Sequence, residues 1–104
     1  MPLFAVVYRP GPRWKVGAAM KDQDLRGHFF YLSDLNQKGK VMVAGPLGED
    51  GGLVILRAPD QEAAGKMASA DPAVLAGVFV SEVRPFTPRI GGHEPLLPAA
   101  SGAR

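Results

Sequence analysis

The sequence predicts an α+β sandwich of ferredoxin-like type, with the element order strand, helix, strand, strand, helix, strand. Three observations support this prediction. Short apolar, β-rich runs end at Pro or Gly, the period changes to a helical one over 24–38, and 41–56 contains two apolar runs separated by a Gly-rich turn. Two helices would then cover one face of a four-stranded antiparallel sheet.

The first helix is predicted over 24–38, where apolar residues recur at three- and four-residue steps and form one stripe: Leu25, Phe29, Leu32 and Leu35. Asp22 or Asp24 is expected to cap its start, and Gly39 is expected to end it in the left-handed conformation. His28 falls at the edge of the stripe. We therefore expect its ring to point toward the sheet or toward a cleft beside it.

Four strands are predicted from apolar runs that end at turn-forming residues, over 3–8, 41–44, 53–56 and 78–83. Gly45-Pro46 is expected to stop the second strand, and the two central runs read as a hairpin. Asp60 is expected to cap the second helix. Asp71-Pro72 has the ordinary N-cap and N1 arrangement, which predicts another helical turn before the last strand.

Length and composition limit the possible classes of protein. The 104 residues are expected to form one domain over 1–87, followed by a Pro/Gly-rich tail over 88–104. Without Cys there is no disulfide, thiolate metal site or Cys nucleophile. The net charge is +2 and the basic residues are scattered, so nucleic acid is not an expected partner. We find no signal peptide and no apolar run near the roughly 20 residues that span a bilayer, so a cytoplasmic protein without membrane contact is expected.

The second and third predicted strands are apolar on both faces, whereas helices can cover only one face of the sheet. We therefore expect the opposite face to pack against a second copy of the chain in a homodimer. The alternative is that the tail folds back over this face.

His28 and Asp71 are the candidate catalytic residues. An imidazole can give or take a proton near neutral pH, and a carboxylate can orient the ring and support its charged form. The alternatives are a half-buried structural histidine and an aspartate that only caps a helix; on spacing alone they are the commoner cases. Asp24 lies four residues before His28 but is expected to be a solvated cap.

Gly45 and Pro46 are candidate pocket residues because a glycine lets a ligand approach the backbone closely, although both could simply end a strand. Tyr31 is a further candidate, as are Tyr8 and Trp14, with core or surface packing as the alternative for each. The two histidines are far apart, without the i, i+3 or i+4 spacing of metal ligands, and the Gly-rich turn lacks the Lys and Ser/Thr of a phosphate loop. Neither a metal nor a cofactor is expected.

Five segments, taken in order and spacing, resemble the YciI-like (YCII-related) family: LRGHFFYL (25–32), GKVMVAGP (39–46), GGL (51–53), ADPAVLAGV (70–78) and VRPF (83–86). The resemblance covers roughly residues 3–87. It implies a dimeric ferredoxin-like α+β barrel and an active site centred on a histidine and an aspartate, which carry over to His28 and Asp71.

The first expected function is a cofactor-independent lyase or isomerase in which His28 and Asp71 act as an acid–base pair on an aromatic or unsaturated carbonyl compound. The resemblance implies this chemistry because a related member is a dehydrochlorinase of a chlorinated hydroxyquinol. The alternative is a small-ligand-binding or accessory protein of the same fold that leaves its ligand unchanged. The sequence leaves open whether the chain is an enzyme.

Overall fold

The computed structural model describes residues 1–91 as a four-stranded antiparallel sheet with helices on one face. The strands are β1 (Leu3–Pro10), β2 (Val41–Leu47), β3 (Gly51–Arg57) and β4 (Phe79–Phe86). The helices are α1 (Arg26–Gln37), α2 (Gln61–Ser69) and α3 (Pro72–Leu75), with a 3₁₀ turn at Met20–Asp22. The sheet order is β2-β3-β1-β4. The predicted ferredoxin-like α+β fold is confirmed.

The helix-facing side of the sheet forms the core. On β1 every second residue points toward the helices and is buried, and the paired residues of β3 and β4 lie beside them. The buried side chains on this side include Val6, Tyr8, Val54, Leu56 and Phe79, with Leu35 contributed by α1. This alternation follows from the two-residue period of a strand.

Two predicted strand ends, those of β2 and β4, are wrong for the same reason, and β1 also continues two residues past its predicted end to Pro10. β2 continues through Gly45-Pro46 to Leu47, and β4 continues through Pro85 to Phe86. Both strands lie at the edges of the sheet. An edge strand can direct the missing proline donor away from its neighbour, so proline need not end it.

The predicted cap of α1 is also wrong. The residue before the helix is Leu25, and no side chain caps it, so neither Asp22 nor Asp24 has that role. At the other end, Gly39 has φ 78° and follows the last turn as predicted. The cap predictions for α2 and α3 hold, because Asp60 accepts from Ala63 N and Asp71 accepts from Ala73 N.

The apolar stripe of α1 differs from its prediction at one position. Leu35 is buried, but Phe29 is 65% exposed. The helix is rotated so that His28, whose side chain is 16% exposed, turns inward. A polar ring occupies this inward position because a buried carboxylate lies opposite it.

The face of the sheet opposite the helices carries no described element. We call it the open face, and its apolar residues are Leu3, Ala5, Val7, Val43, Leu47, Leu53, Ile55, Val80 and Phe86. Four of these are between 40% and 56% exposed. The predicted tail falls mostly on residues 92–104, which lie outside the described part of the chain. Over residues 1–91, no helix is long and apolar enough to cross a bilayer.

Candidate functional site

The site is built around a contact between two residues that are 43 positions apart in the chain. His28 Nδ1 lies 2.6 Å from Asp71 Oδ2. Because a carboxylate can only accept, Nδ1 carries the proton in this contact, and Nε2 of the neutral ring is left as an acceptor. Within residues 1–91, no group forms a hydrogen bond with Nε2.

Asp71 has two structural roles at once. Its Oδ1 accepts from Ala73 N at 2.9 Å and caps α3, while Oδ2 holds the imidazole of His28. The Asp71 side chain is fully buried. The helix cap and a contact with the His28 ring are therefore compatible, because a different oxygen of the carboxylate makes each one.

Gly27 lets α1 and α3 approach closely enough for this contact. A Cβ at Gly27 would lie 3.0 Å from Cβ of Pro72, closer than nearly all real Cβ contacts. Gly27 precedes His28 and Pro72 follows Asp71, so this approach sets the separation of the pair. Sequence reasoning did not single out Gly27. A glycine in the first turn of a helix, where it carries a propensity cost, was the available signal.

Aromatic rings hold the imidazole in place. The His28 ring centroid lies 5.1 Å from that of Tyr8 and 5.4 Å from that of Phe79, with both pairs close to perpendicular. Trp14 stacks on the far side of Phe79 at 5.6 Å. Edge-to-face contacts of this kind restrict the ring orientation in addition to the hydrogen bond from Nδ1.

The Tyr8 hydroxyl is kept in its neutral form. Burial raises the pKa of Tyr8 well above its ordinary value, and the negative charge of Asp71 raises it further. Tyr8 is therefore a phenol, not a phenolate, throughout the neutral and mildly alkaline range.

A cavity of about 770 Å³ lies between α1 and the β2–β3 edge of the sheet. His28 and Tyr8 are part of its wall, as are the predicted pocket residues Gly45 and Pro46. Tyr31 does not line it; instead its hydroxyl donates to Met67 O at 2.7 Å, which connects α1 to α2. The volume is within the usual range for small-molecule pockets.

The cavity wall is mostly apolar, with residues from α1, β2 and β3 that include Leu25, Phe29, Leu32, Val41, Met42, Ala44 and Val54. A β-bulge at 41–43 turns Val41 toward the helices and Val43 toward the open face. The residues in 1–91 contain no group of three or more His, Asp or Glu side chains that could hold a metal ion.

Gln23 is a buried polar residue that sequence reasoning missed. Its Oε1 accepts from Lys15 N at 2.8 Å, and its Nε2 donates to the carbonyls of Lys15 and Ala18. The amide thereby ties the loop after β1 to the approach to α1, and Gln23 also lines the cavity. A lone glutamine between two aspartates has no period or spacing that would have indicated this role.

The fold and the site together define an α+β protein in which an imidazole lines a mostly apolar cavity and a buried carboxylate contacts that imidazole from behind. The model of the YCII-related domain family matches residues 4–87, so the chain belongs to this family and the resemblance seen in its sequence is confirmed.

Among solved structures, the chain is similar to 5-chloro-2-hydroxyhydroquinone dehydrochlorinase (TftG) from Burkholderia phenoliruptrix AC1100, in complex with 2,5-dihydroxybenzoquinone. The TM-score is 0.61 at 23% identity, and the match covers 81% of this chain and 93% of that chain. At this identity the likeness bears on the fold alone. No curated protein matches the chain.

Proposed function

We propose that the chain is a cofactor-independent enzyme of lyase or isomerase type, which moves a proton on an aromatic or unsaturated carbonyl compound. The observation that carries this proposal is the orientation of His28. Its Nδ1 is held at 2.6 Å by Asp71, which leaves Nε2 as the proton-accepting atom on a ring that lines the cavity.

Asp71 supports a general base in two ways. It fixes the tautomer with the proton on Nδ1, so that the lone pair of Nε2 is available. Its charge also stabilises the imidazolium that forms when Nε2 takes a proton. Positioned acid–base groups of this kind typically contribute about 10²- to 10⁴-fold to a rate.

In the proposed reaction, Nε2 removes a proton from a saturated carbon next to a carbonyl group, or next to a C=C bond that is conjugated with one. The electron pair of the C–H bond moves into the conjugated system as an enolate. In a lyase step this pair then expels an anionic leaving group as a C=C bond forms; in an isomerase step the imidazolium returns the proton to another carbon. Neither route needs a redox partner.

The similar solved structure suggests which compounds to test first. Its title names a dehydrochlorinase of a chlorinated hydroxyhydroquinone and a bound dihydroxybenzoquinone. Hydroxylated and halogenated hydroquinones, with their quinone forms, are therefore the first panel, followed by unsaturated lactones and enones.

The His28→Gln variant tests the proposal. Turnover of any panel compound accepted by the wild type should fall by about 10²- to 10⁴-fold, since an amide cannot take the proton. The melting temperature should stay close to that of the wild type. Undiminished turnover in His28→Gln would contradict a role for His28 as the base.

Asp71→Asn sharpens the test because the two oxygens of Asp71 have different tasks. Asn retains a carbonyl oxygen to cap α3, but its amide N–H₂ would face Nδ1 and favour the tautomer with the proton on Nε2. The turnover rate should therefore fall strongly, while the melting temperature should change little. Asp60→Asn is the matched control, because Asp60 caps α2 in the same way without touching a histidine.

The ligand-binding alternative predicts a different pattern. A wild type that binds panel compounds without converting them, and a His28→Gln variant that binds them equally well, would favour a binding protein of the same fold. Direct titration of both proteins separates the two functions.

We also propose that the protein is a homodimer in which the open faces of two copies pack together. Four exposed apolar side chains on that face support this proposal. A cytoplasmic location belongs to the same proposal and is supported by the absence of Cys from the sequence.

A further inference from the structure

The cavity wall contains basic side chains but no acidic one among residues 1–91. Lys21, in the 3₁₀ turn, and Arg26, the first residue of α1, both line the cavity. No Asp or Glu of residues 1–91 lines it. This is uneven for a sequence whose 12 basic residues are nearly balanced by 10 acidic ones.

Neither cation forms an ion pair with a described carboxylate. The Arg26 guanidinium instead lies 5.7 Å from the centroid of the Phe30 ring, one turn along α1. Elsewhere on the helices the same spacing is used for ion pairs: Lys38 binds Asp34 at 2.9 Å, and Lys66 lies 3.6 Å from Glu62. Over residues 1–91, therefore, no carboxylate neutralises Lys21 or Arg26 by direct contact.

The carboxylates of Asp71, Asp22 and Asp24 all lie outside the cavity wall. Asp71 is buried behind His28, where it accepts from His28 Nδ1 and Ala73 N. Asp22 and Asp24 are neighbours of Lys21 in sequence, but both are exposed and neither lines the cavity.

We propose that the cavity selects an anionic ring compound, with its apolar ring against the β2–β3 wall and its carboxylate or similar oxyanion toward Lys21 and Arg26. This inference rests on the proposed function, because it names the substrate class of the same site. It makes Lys21 and Arg26 specificity-determining residues, since both would contact a charged substituent away from the carbon that reacts at His28.

The test compares two probes that differ in charge but hardly in shape, benzoate and benzamide. Both are titrated by ligand-observed NMR against the full chain at low ionic strength. Exposed cation–anion contacts are individually modest, so the two together should make benzoate bind about 3- to 30-fold tighter than benzamide. Added salt should reduce this ratio.

The decisive variant is Lys21→Gln/Arg26→Gln. The preference for benzoate should disappear in it, while the affinity for benzamide should change little. The matched control is Lys38→Gln/Lys66→Gln, which removes the same amount of positive charge from helix surfaces outside the cavity. This control should retain the preference, which separates local recognition from the overall charge of the chain.

Three outcomes would overturn the inference: equal binding of the two probes to the wild type, binding of neither, or a preference that survives in Lys21→Gln/Arg26→Gln. Because the experiment measures binding and not turnover, its failure leaves the role of His28 standing. Unchanged turnover in His28→Gln would remove the proposed function and leave the charge preference of the cavity as measured.

Discussion

The two faces of the sheet are made by the same four strands, yet they differ in almost every physical respect. On the helix side, Val6, Val54 and Phe79 are at most 2% exposed, and Val54 and Phe79 also line the cavity. On the open face, Val43 and Val80 are 56% and 46% exposed. Strand alternation gives this sheet two apolar surfaces. The cavity lies on the surface that α1 covers.

The largest expected effect separates the faces at neighbouring positions of β4. Phe79→Ala should lower the free energy of unfolding by about 3–5 kcal/mol, because it empties a filled site between three aromatic rings. Val80→Ala, one residue on and on the open face, should cost far less in the isolated chain. Urea unfolding followed by Trp14 fluorescence measures both. Similar losses at the two positions would mean that the open face is also core.

The double variant Val43→Lys/Val80→Lys tests directly whether the open faces of two copies pack together. If two copies meet there, the buried lysines should raise the dimer dissociation constant by at least about 100-fold, which corresponds to about 2.8 kcal/mol. Analytical ultracentrifugation at micromolar concentration measures this change. Phe29→Lys, another exposed apolar residue but on α1, is the control. A monomeric wild type would remove the dimer from consideration.

An effect of intermediate size is the dependence of the free energy of unfolding on pH, which involves Tyr8 on the helix side of the sheet. Burial and the charge of Asp71 raise the pKa of Tyr8 in the folded chain, so only the unfolded chain ionises as the pH first rises above about 10. Stability should then fall by about 1.4 kcal/mol per pH unit for this one proton. In Tyr8→Phe that part of the decline should be missing. Unfolding curves between about pH 9 and 11 provide the measurement.

The smallest expected effect is that of the chain after β4. Truncation after Thr87 should lower the melting temperature by no more than about 2 °C, a loss of a few tenths of a kcal/mol. The family match ends at residue 87, and β4 ends at Phe86. Differential scanning calorimetry measures the melting temperature, and sedimentation measures the oligomeric state. If truncation instead abolishes dimerisation or solubility, the tail contributes to one of the two faces.

The parts of the fold that depend on local pattern were predictable from the sequence. Apolar runs that end at turn-forming residues placed every strand, a three- to four-residue period placed α1, and Asp60 and Asp71 were recognised as the caps of α2 and α3. The errors in the strand ends arise where the position of a strand in the sheet determines its length. Pro46 and Pro85 are tolerated because their strands are at the edges of the sheet, and strand order is not visible in a local pattern.

The candidate site divides in the same way. His28 and Asp71 were selected by residue type and by family resemblance, and their contact then depended on a helix crossing that sequence spacing does not encode. Tyr31 was a candidate pocket residue with packing as the alternative, and it packs toward α2 instead, where its hydroxyl donates to Met67 O. Gln23 and Gly27 were missed because their roles exist only through contacts with Lys15 and Pro72.

The two contacts of the Asp71 carboxylate have a consequence for how this position can evolve. One oxygen of its carboxylate caps a four-residue helix and the other contacts His28, so under the proposed function stability and chemistry would both require the same residue. A descendant that lost the reaction would still be under pressure to keep this aspartate for its fold. His28, whose Nε2 serves no described contact, is the position at which such a loss would first be recorded.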